Sequence, residues 1–269
     1  MSILVINQAW TDNLGDIAIG EVLLRELSSM DPIAIPFAPI TAKVSGGVLS
    51  KILNLYRLDI RYARWIRNRL KAMDTPIEAV VIGGGELLTA NMNFNAALKA
   101  WMNVFYKRNI PVYIWGVGGG HTNLLYRIRY KAALKKAKAI CVRDKKAKGI
   151  VKKCYGREAV LYPDLVFTYG MNTPGVSKQN EHKTVSCNVL SYRQYINGRG
   201  TYTKDEYFTA WEELINKEIT PNATIIFGST TEEDRVTTKE FAEYIKNPAE
   251  FRQDFFVYAI KKDRPEGGL

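Results

Sequence analysis

The sequence has no long apolar run and few histidines or cysteines, and each shortage excludes a class of protein. No apolar run approaches the roughly 20 residues that a bilayer-spanning helix needs. Two histidines are too few for a histidine-rich metal centre, and we expect no metal. Three widely spaced cysteines, Cys141, Cys154 and Cys187, fit a reducing cytosol better than a disulfide framework or a zinc site. The chain opens on an apolar strand, Ile3–Ile6, without a basic head or cleavage pattern, so we expect no secretory signal and a cytoplasmic protein.

The composition provides ample material for a core, and the pattern of apolar segments indicates an α/β fold. Of 269 residues, 46% are hydrophobic and 24% charged, as in globular proteins. Strands and helices alternate along residues 1–170, which predicts a parallel sheet covered by helices, of the Rossmann-like kind. Residues 169–182 are rich in Gly, Asn, Pro and polar residues and read as an interdomain linker. We therefore expect an N-terminal domain at 1–170 and a partial C-terminal domain at 183–269.

The expected second domain is small. Its strands are predicted at Thr184–Val189, Thr224–Phe227 and Phe255–Tyr258, with helices at Lys204–Asn216 and Arg235–Ile245. Three strands make a thin sheet for a complete domain of this type. The pattern therefore predicts a second domain that is small or truncated.

Positive charge is concentrated in two stretches. The net charge is +11, and Tyr126–Lys153 alone carries twelve Lys or Arg against one acid, Asp144. Such a surface attracts phosphates, anionic sugars, acidic lipid or nucleic acid, although a solvated helix face explains it equally well. In Ser45–Ala72, arginines such as Arg61 and Arg64 interleave with aromatic and aliphatic residues. A helix of that pattern either lies on an anionic membrane surface or packs on the sheet with its arginines in water.

Three predicted strands end in small or polar residues. Ala79–Ile82 and Val112–Trp115 each run into glycines, and Ile3–Asn7 is followed by a polar turn. Ligands of parallel sheets bind beyond the carboxyl ends of the strands, and glycines there allow close backbone approach. Neither glycine loop has a nucleotide-binding signature, and there is no Walker lysine with serine or threonine. The pattern predicts that these three strand ends share one crevice.

Arg143 and Asp144 follow a fourth strand, Ala139–Val142. At the end of a strand, the planar guanidinium of Arg143 suits a carboxylate or phosphate, although a local ion pair is the alternative. We expect Asp144 to cap the helix that follows, and Asp16 to cap a helix over Ile17–Ser29. His121, next to the second glycine loop, is more consistent with a surface or capping role than with acid–base catalysis.

Five short segments occur along the chain in a fixed order, and their combination is more specific than any one of them. They are Asn13-x-Gly-Asp-x-Ala-Ile19, Gly-Gly-Gly-Glu-Leu-Leu at 83–88, Gly-x-Gly-Gly-Gly at 116–120, Val142-Arg-Asp144 and Pro163-Asp-Leu-Val-Phe167. This combination resembles the polysaccharide pyruvyl transferase family. The resemblance covers residues 1–170 well and the strand pattern of 183–260 loosely.

The resemblance implies a fold, a reaction and roles for the site residues. Family members have two Rossmann-like domains in a GT-B-like arrangement. They transfer the pyruvyl unit of phosphoenolpyruvate, without a cofactor, to a sugar of an exopolysaccharide or cell-wall glycan, often lipid-linked at the inner membrane face. By position, Asn13, Gly15 and Asp16 would line the acceptor or interdomain crevice. Its floor would be formed by Gly83, Gly84, Gly85 and Glu86 together with Gly116, Gly118, Gly119 and Gly120. Arg143 matches the arginine expected to hold phosphoenolpyruvate.

One departure from the family pattern and two rival functions remain open at the sequence level. The family's Arg-x-His segment in the second domain is not found here, since Arg264 is followed by Pro265 and the sequence ends at Leu269. The expectation is weak or no turnover by this polypeptide alone. A GT-B-like glycosyltransferase using a nucleotide sugar is one alternative, and a non-catalytic anion- or membrane-binding protein is another. Nucleic-acid binding is the weakest option, because the basic residues lack a recognised reader motif.

Overall fold

A computed structural model describes residues 2–40, 47–120, 122–168, 184–198, 200–218 and 224–245. The chain divides into two compact units, Met1–Pro174 and Gly175–Leu269. The linker at 169–182, the strand at Phe255–Tyr258, His121 and the stretch around Arg264, on which the expectation about the Arg-x-His segment rests, lie outside the described residues.

The first unit is built on a six-stranded parallel sheet. Its strand order is β2-β1-β3-β4-β5-β6, and every described pairing in it is parallel. Apolar, largely β-branched runs form the central strands, because strands buried on both faces need no polar alternation. The strands are β1 (Ser2–Asn7), β2 (Pro32–Pro36), β3 (Ile77–Gly83), β4 (Val112–Val117), β5 (Ala139–Val142) and β6 (Val160–Leu161).

Helices connect these strands and cover the sheet unequally. Four of them pack on one face, and their apolar sides form a large core with alternate strand residues such as Leu4, Ile6, Val80 and Ile82. The opposite face carries a smaller core, in which the first helix packs against Ile3, Val5 and Val81. The helices are α1 (Leu14–Glu26), α2 (Val48–Lys71), α3 (Met92–Tyr106), α4 (Leu124–Leu134) and α5 (Lys145–Tyr155). Helical turns of the 3-10 type follow at Ser28–Met30 and Leu165–Thr168.

The second unit contains a parallel strand pair with its own apolar core. Strands β7 (Thr184–Asn188) and β8 (Thr224–Gly228) pair in register. Buried Phe208, Phe227 and Phe241 form the centre of its core. Its helices are α6 (Tyr192–Asn197), α7 (Lys204–Glu218) and α8 (Glu232–Tyr244).

The α/β fold class and the Rossmann-like parallel sheet predicted from the sequence are confirmed. One element boundary was wrong in a way that affects the site, because α1 begins at Leu14 and not at Ile17. Helix α6 was missed: a six-residue helix between Ser191 and Gly198 is too short to show apolar periodicity. Within the described ranges, every helix falls short of the length and hydropathy that crossing a bilayer would need.

Candidate functional site

The carboxyl ends of the strands meet at one edge of the first unit's sheet, which we call the carboxyl edge. From β1 the chain leaves through α1 toward β2, whereas from β3 it leaves through α3 toward β4 on the other side. This reversal of direction opens a crevice between the two connections, the usual ligand position in such sheets. The residues predicted as a site come from this edge.

Asn13 starts α1 at this edge. Its side-chain oxygen accepts hydrogen bonds from the backbone N–H groups of Gly15 at 2.9 Å and Asp16 at 3.3 Å. The expectation that Asp16 caps this helix is therefore wrong. The Asn13-Leu-Gly-Asp16 turn contains two residues with high capping preference, and the first of them takes the role. Asp16 lies in the first helical turn, and its carboxylate is left to face the crevice.

Asp16 is half-buried between the first glycine loop and Arg143. A Cβ atom placed on Gly85 would lie 3.1 Å from the Asp16 Oδ1 atom, so the carboxylate rests against that backbone. Burial raises the pKa of Asp16, while a hydrogen bond with the Thr11 side chain and the positive charge of Arg143 both act to lower it. A carboxyl with a raised pKa in a crevice is suited to accept or donate a proton.

The first glycine loop, Gly83–Gly85, brings α1 close to the end of β3. Gly84 and Gly85 adopt φ values of 73° and 70°, in the left-handed region that favours glycine. A Cβ on Gly84 would lie 1.9 Å from the Ile19 Cγ2 atom, so only glycine allows α1 to pack here. The loop therefore fixes the position of the helix that carries Asp16.

The second glycine loop, Gly116–Gly120, runs beside the first and is hydrogen-bonded to it. The Gly118 N–H donates to the Gly85 carbonyl at 2.9 Å, and the Gly120 N–H donates to the Leu88 carbonyl at 3.1 Å. A Cβ on Gly120 would lie 3.0 Å from the exposed Glu86 carboxylate. A Cβ on Gly119 would meet only Leu88 and Ala147, at 3.3 Å or more. The two loops thus form one continuous surface with Glu86 on it.

Arg143 lies directly against the second glycine loop. A Cβ on Gly118 would be 2.7 Å from Arg143 Nε and 3.0 Å from Nη2, so the guanidinium occupies the space that any other residue would fill. Its Nη1 donates to Asp164 Oδ2 at 2.9 Å, and its Nε lies 3.9 Å from the Asp144 carboxylate. The Arg143 side chain remains 29% exposed. Within the described ranges this is one side-chain hydrogen bond for a fork of five N–H groups, which leaves donors for a ligand.

Asp144 and Asp164 hold the guanidinium and the start of α5. Asp144 Oδ1 accepts from the Ala147 N–H at 2.6 Å, which confirms the predicted cap. Asp164 also accepts from the Val166 N–H at 3.1 Å, so its carboxylate is fixed while it binds Arg143. Asp164 belongs to the Pro163–Phe167 motif but was not predicted as a site residue. Its position after β6, the next strand in the sheet, was the available signal.

The structure thus brings the predicted residues to one edge, with mixed charge. Arg143 and the N-termini of α1 and α5 attract anions, whereas Asp16, Glu86, Asp144 and Asp164 supply carboxylates. Within the described part of the chain, no group of three or more His, Cys, Asp or Glu side chains could hold a metal ion. The edge therefore combines an anion-binding arginine with hydrogen-bond acceptors suited to hydroxyl groups.

Comparison with known proteins supplies a family. A family model described as polysaccharide pyruvyl transferase matches residues 13–266. No curated protein matches the chain. One solved structure with some similarity is an ABC transporter solute binding protein from Agrobacterium vitis with bound allitol, at 14% identity. That match covers 90% of this chain and 71% of the other, and its TM-score of 0.28 is too low to bear on fold or ligand.

Proposed function

The chain belongs to the polysaccharide pyruvyl transferase family, and we propose that it transfers pyruvyl from phosphoenolpyruvate to a sugar of an exopolysaccharide or cell-wall glycan. The observation that carries the proposal is the placement of Arg143. Its guanidinium is held by Asp164 against Gly118, where two glycine loops and the start of α5 meet. Planar, bidentate donors recognise carboxylates and phosphates, and phosphoenolpyruvate carries both.

The proposed reaction joins two sugar hydroxyls to the C2 atom of the donor. A proton adds to the C3 methylene, which becomes the methyl group, and C2 becomes an oxocarbenium-like centre. The two hydroxyl oxygens form bonds to C2, and the bond from C2 to the phosphate oxygen breaks. One of the two hydroxyl protons balances the proton taken up at C3, and the other leaves with the phosphate. The step requires a firm grip on the anion and one proton acceptor near the hydroxyls.

We assign these two tasks to different residues of the carboxyl edge. Arg143, with the N-terminus of α5 beside it, would hold the anionic donor. Asp16 and Glu86, on the side of the first glycine loop, would accept hydrogen bonds from the acceptor hydroxyls. Asp16 is the proposed proton acceptor, because its burial and raised pKa match the requirement. Two further carboxylates, Asp144 and Asp164, lie beside Arg143, where the Ala147 N–H and the guanidinium already bind them.

We further propose a cytoplasmic location with peripheral contact at the inner membrane face. Family acceptors that are lipid-linked would present their sugars there. The two basic helices of the first unit supply the charge for such a contact.

The test measures phosphoenolpyruvate binding, so that it does not depend on knowing the acceptor. In calorimetric titration, Arg143→Lys keeps the charge but loses the planar fork, and we expect binding about 10- to 100-fold weaker. Arg157→Lys is the matched control, because Arg157 donates to the Lys135 and Ala137 carbonyls just before β5, at the opposite edge. Equal affinity in both variants would contradict the assignment of Arg143. Thermal stabilisation by UDP or GDP sugars, without stabilisation by phosphoenolpyruvate, would instead favour the glycosyltransferase alternative.

A further inference from the structure

Helix α2 exposes a line of apolar side chains along its outer surface. Four large apolar side chains are 43% to 65% exposed: Ile52, Leu53, Tyr56 and Ile60. Their spacing of three or four residues places them on one side of the helix. The helix already buries a different apolar side, formed by Leu55, Leu58, Tyr62 and Ile66, in the core. Packing on the sheet therefore explains the buried side and leaves the exposed side without a role in folding.

The charged residues of α2 are almost all positive. Lys51, Arg57, Arg61, Arg64 and Arg67 are exposed, with Arg69 and Lys71 in the last turn. The helix contains one acid, Asp59, which is 17% exposed and binds cations of other helices. Exposed apolar residues among cations, with no exposed acid on the helix, match an anionic lipid surface.

Helix α4 continues this surface. Arg129 of α4 donates to both carboxylate oxygens of Asp59, at 2.5 and 3.0 Å, so this ion pair joins the middles of α2 and α4. The outer side of α4 then exposes Leu124 (70%), Leu125 and Ile128, beside the exposed cations Arg127 and Lys131. The exposed apolar residues of both helices are in their N-terminal halves, except Ile60, which is at the middle of α2. In a parallel sheet those halves lie at the carboxyl edge, where the candidate site is.

A basic groove runs beside α2, between it and α3. Its volume is about 740 Å³, and its lining includes Tyr56, Arg67, Lys99, Lys107 and Arg108. Lys136 is close by, since it binds Asn103 of the groove wall. Burial lowers the pKa of Lys136, and the nearby charges of Lys107 and Lys99 lower it further. A phosphate in the groove would relieve that repulsion.

We propose that α2 and the first turns of α4 form a docking surface for a membrane of anionic phospholipid. The exposed apolar residues enter the headgroup region and the arginines contact lipid phosphates, while the groove between α2 and α3 adds positive charge behind them. Docking in this way holds the carboxyl edge near the membrane surface, where a lipid-linked sugar would be. This deepens the peripheral contact included in the proposed function but does not depend on pyruvyl transfer.

Flotation with vesicles tests the surface, using the full chain with phosphatidylglycerol–phosphatidylcholine or pure phosphatidylcholine vesicles. We expect binding to the anionic vesicles only, and a loss of at least tenfold in Arg61→Glu/Arg64→Glu. The matched control is Lys148→Glu/Lys153→Glu on α5, which makes the same change in net charge on an equally basic helix. It should retain most of the binding. Equal loss in both double variants would show a general charge effect and overturn the proposal.

A second pair of variants tests the apolar residues without changing charge. Ile52→Ser/Leu53→Ser should weaken binding to anionic vesicles several-fold, while circular dichroism shows an unchanged fold. Inorganic phosphate at millimolar concentration should not displace the protein, because a lipid surface and not free phosphate is the partner. Binding to single-stranded RNA but not to vesicles would overturn the proposal. Phosphoenolpyruvate titration of the same variants separates the outcomes, since a failed docking surface leaves that affinity intact.

Discussion

The absence of a Cβ atom at Gly118 decides where the Arg143 guanidinium lies, and therefore how it can bind a ligand. The guanidinium lies against the Gly118 Cα, and a Cβ there would approach Nε to 2.7 Å. Gly118 is not in the left-handed region, so alanine is allowed by the backbone. The neighbouring Gly119 has room for a Cβ, with contacts of 3.3 Å or more. An alanine at Gly118 displaces the guanidinium and stiffens the loop, whereas an alanine at Gly119 only stiffens the loop. Comparing the two substitutions therefore measures the effect of the guanidinium position alone.

We predict that Gly118→Ala weakens phosphoenolpyruvate binding about tenfold, because the added methyl moves the arginine out of its ion pair with Asp164. The long side chain can move, so the loss of stability should be small, within about 1 kcal/mol. Gly119→Ala should bind within about twofold of the parent. Titration calorimetry with both variants measures the difference, and similar affinities for the two would contradict this placement of Arg143.

The raised pKa of Asp16 should make the free energy of unfolding depend on pH. Burial raises its pKa in the folded protein above the unfolded value of 3.8, so the unprotonated form is disfavoured by folding. The unfavourable contribution is absent below the unfolded pKa, grows between the unfolded and the folded pKa, and is complete above the folded pKa. Asp16→Asn should therefore raise Tm by roughly 2 °C at pH 7 and leave it unchanged near pH 3. Scanning calorimetry at both pH values tests this, and stabilisation that is greater at pH 3 would contradict it.

Most residues of the candidate site could be named from the sequence, because glycine loops and polar residues that follow apolar strands are visible without coordinates. The roles of Asn13 and Asp16 were exchanged, since two good capping residues three apart cannot be ranked by preference alone. An ion pair for Arg143 was offered only as an alternative, and that pair with Asp164 exists. The partner was not identified, because pairing across 21 residues depends on β5 and β6 being neighbours in the sheet.

At the scale of elements, one carboxylate connects three helices. Asp59 of α2 binds Lys99 of α3 at 2.6 Å as well as Arg129 of α4, and Arg129 Nε also donates to the buried Asn95 at 2.5 Å. Two cations share a single acid that is 17% exposed. Removing this acid would leave two partly buried positive charges facing each other, with Lys136 nearby.

We predict that Asp59→Asn lowers the free energy of unfolding by about 2 kcal/mol, less than the roughly 3–5 kcal/mol of a fully buried pair, because Lys99 is one-third exposed. The control is Glu158→Gln, which removes the pair between Lys152 and Glu158. That pair is exposed, so a change within about 0.5 kcal/mol is expected. Urea denaturation compares the two, and a loss for Asp59→Asn no larger than the control would show that the helices are held by apolar packing alone.

Whole elements were easier to predict than their connections. Strand β5 was placed at Ala139–Val142 with the boundaries that the structure has, because an apolar run there is closed by polar residues on both sides. The contact of α2 with α4 over α3 was not foreseeable, since helix periodicity shows which side is buried but not which neighbour covers it. The same limit applies to the exposed line of α2, which periodicity alone does not separate from its buried side.

The whole molecule carries its positive charge unevenly. Residues 1–174 contain 25 Lys or Arg against 12 Asp or Glu, whereas residues 175–269 contain 13 against 15. The first unit therefore accounts for the entire net charge of +11, and the second is slightly acidic. Long-range attraction to an anionic surface should act on the first unit alone, and salt should screen it because the exposed cations are in water.

We predict that raising NaCl from about 0.1 M to about 1 M, which shortens the Debye length from roughly 10 Å to 3 Å, weakens vesicle binding at least tenfold. The fold should survive, with Tm within about 2 °C, because apolar cores and the half-buried Asp59 pairs are screened far less than exposed charges. Flotation and circular dichroism on the same samples measure both quantities. Binding that persists in 1 M NaCl would mean that the apolar residues of α2 and α4 act without the charge. A Tm that fell together with binding would mean that salt acts on the fold and not on the docking surface.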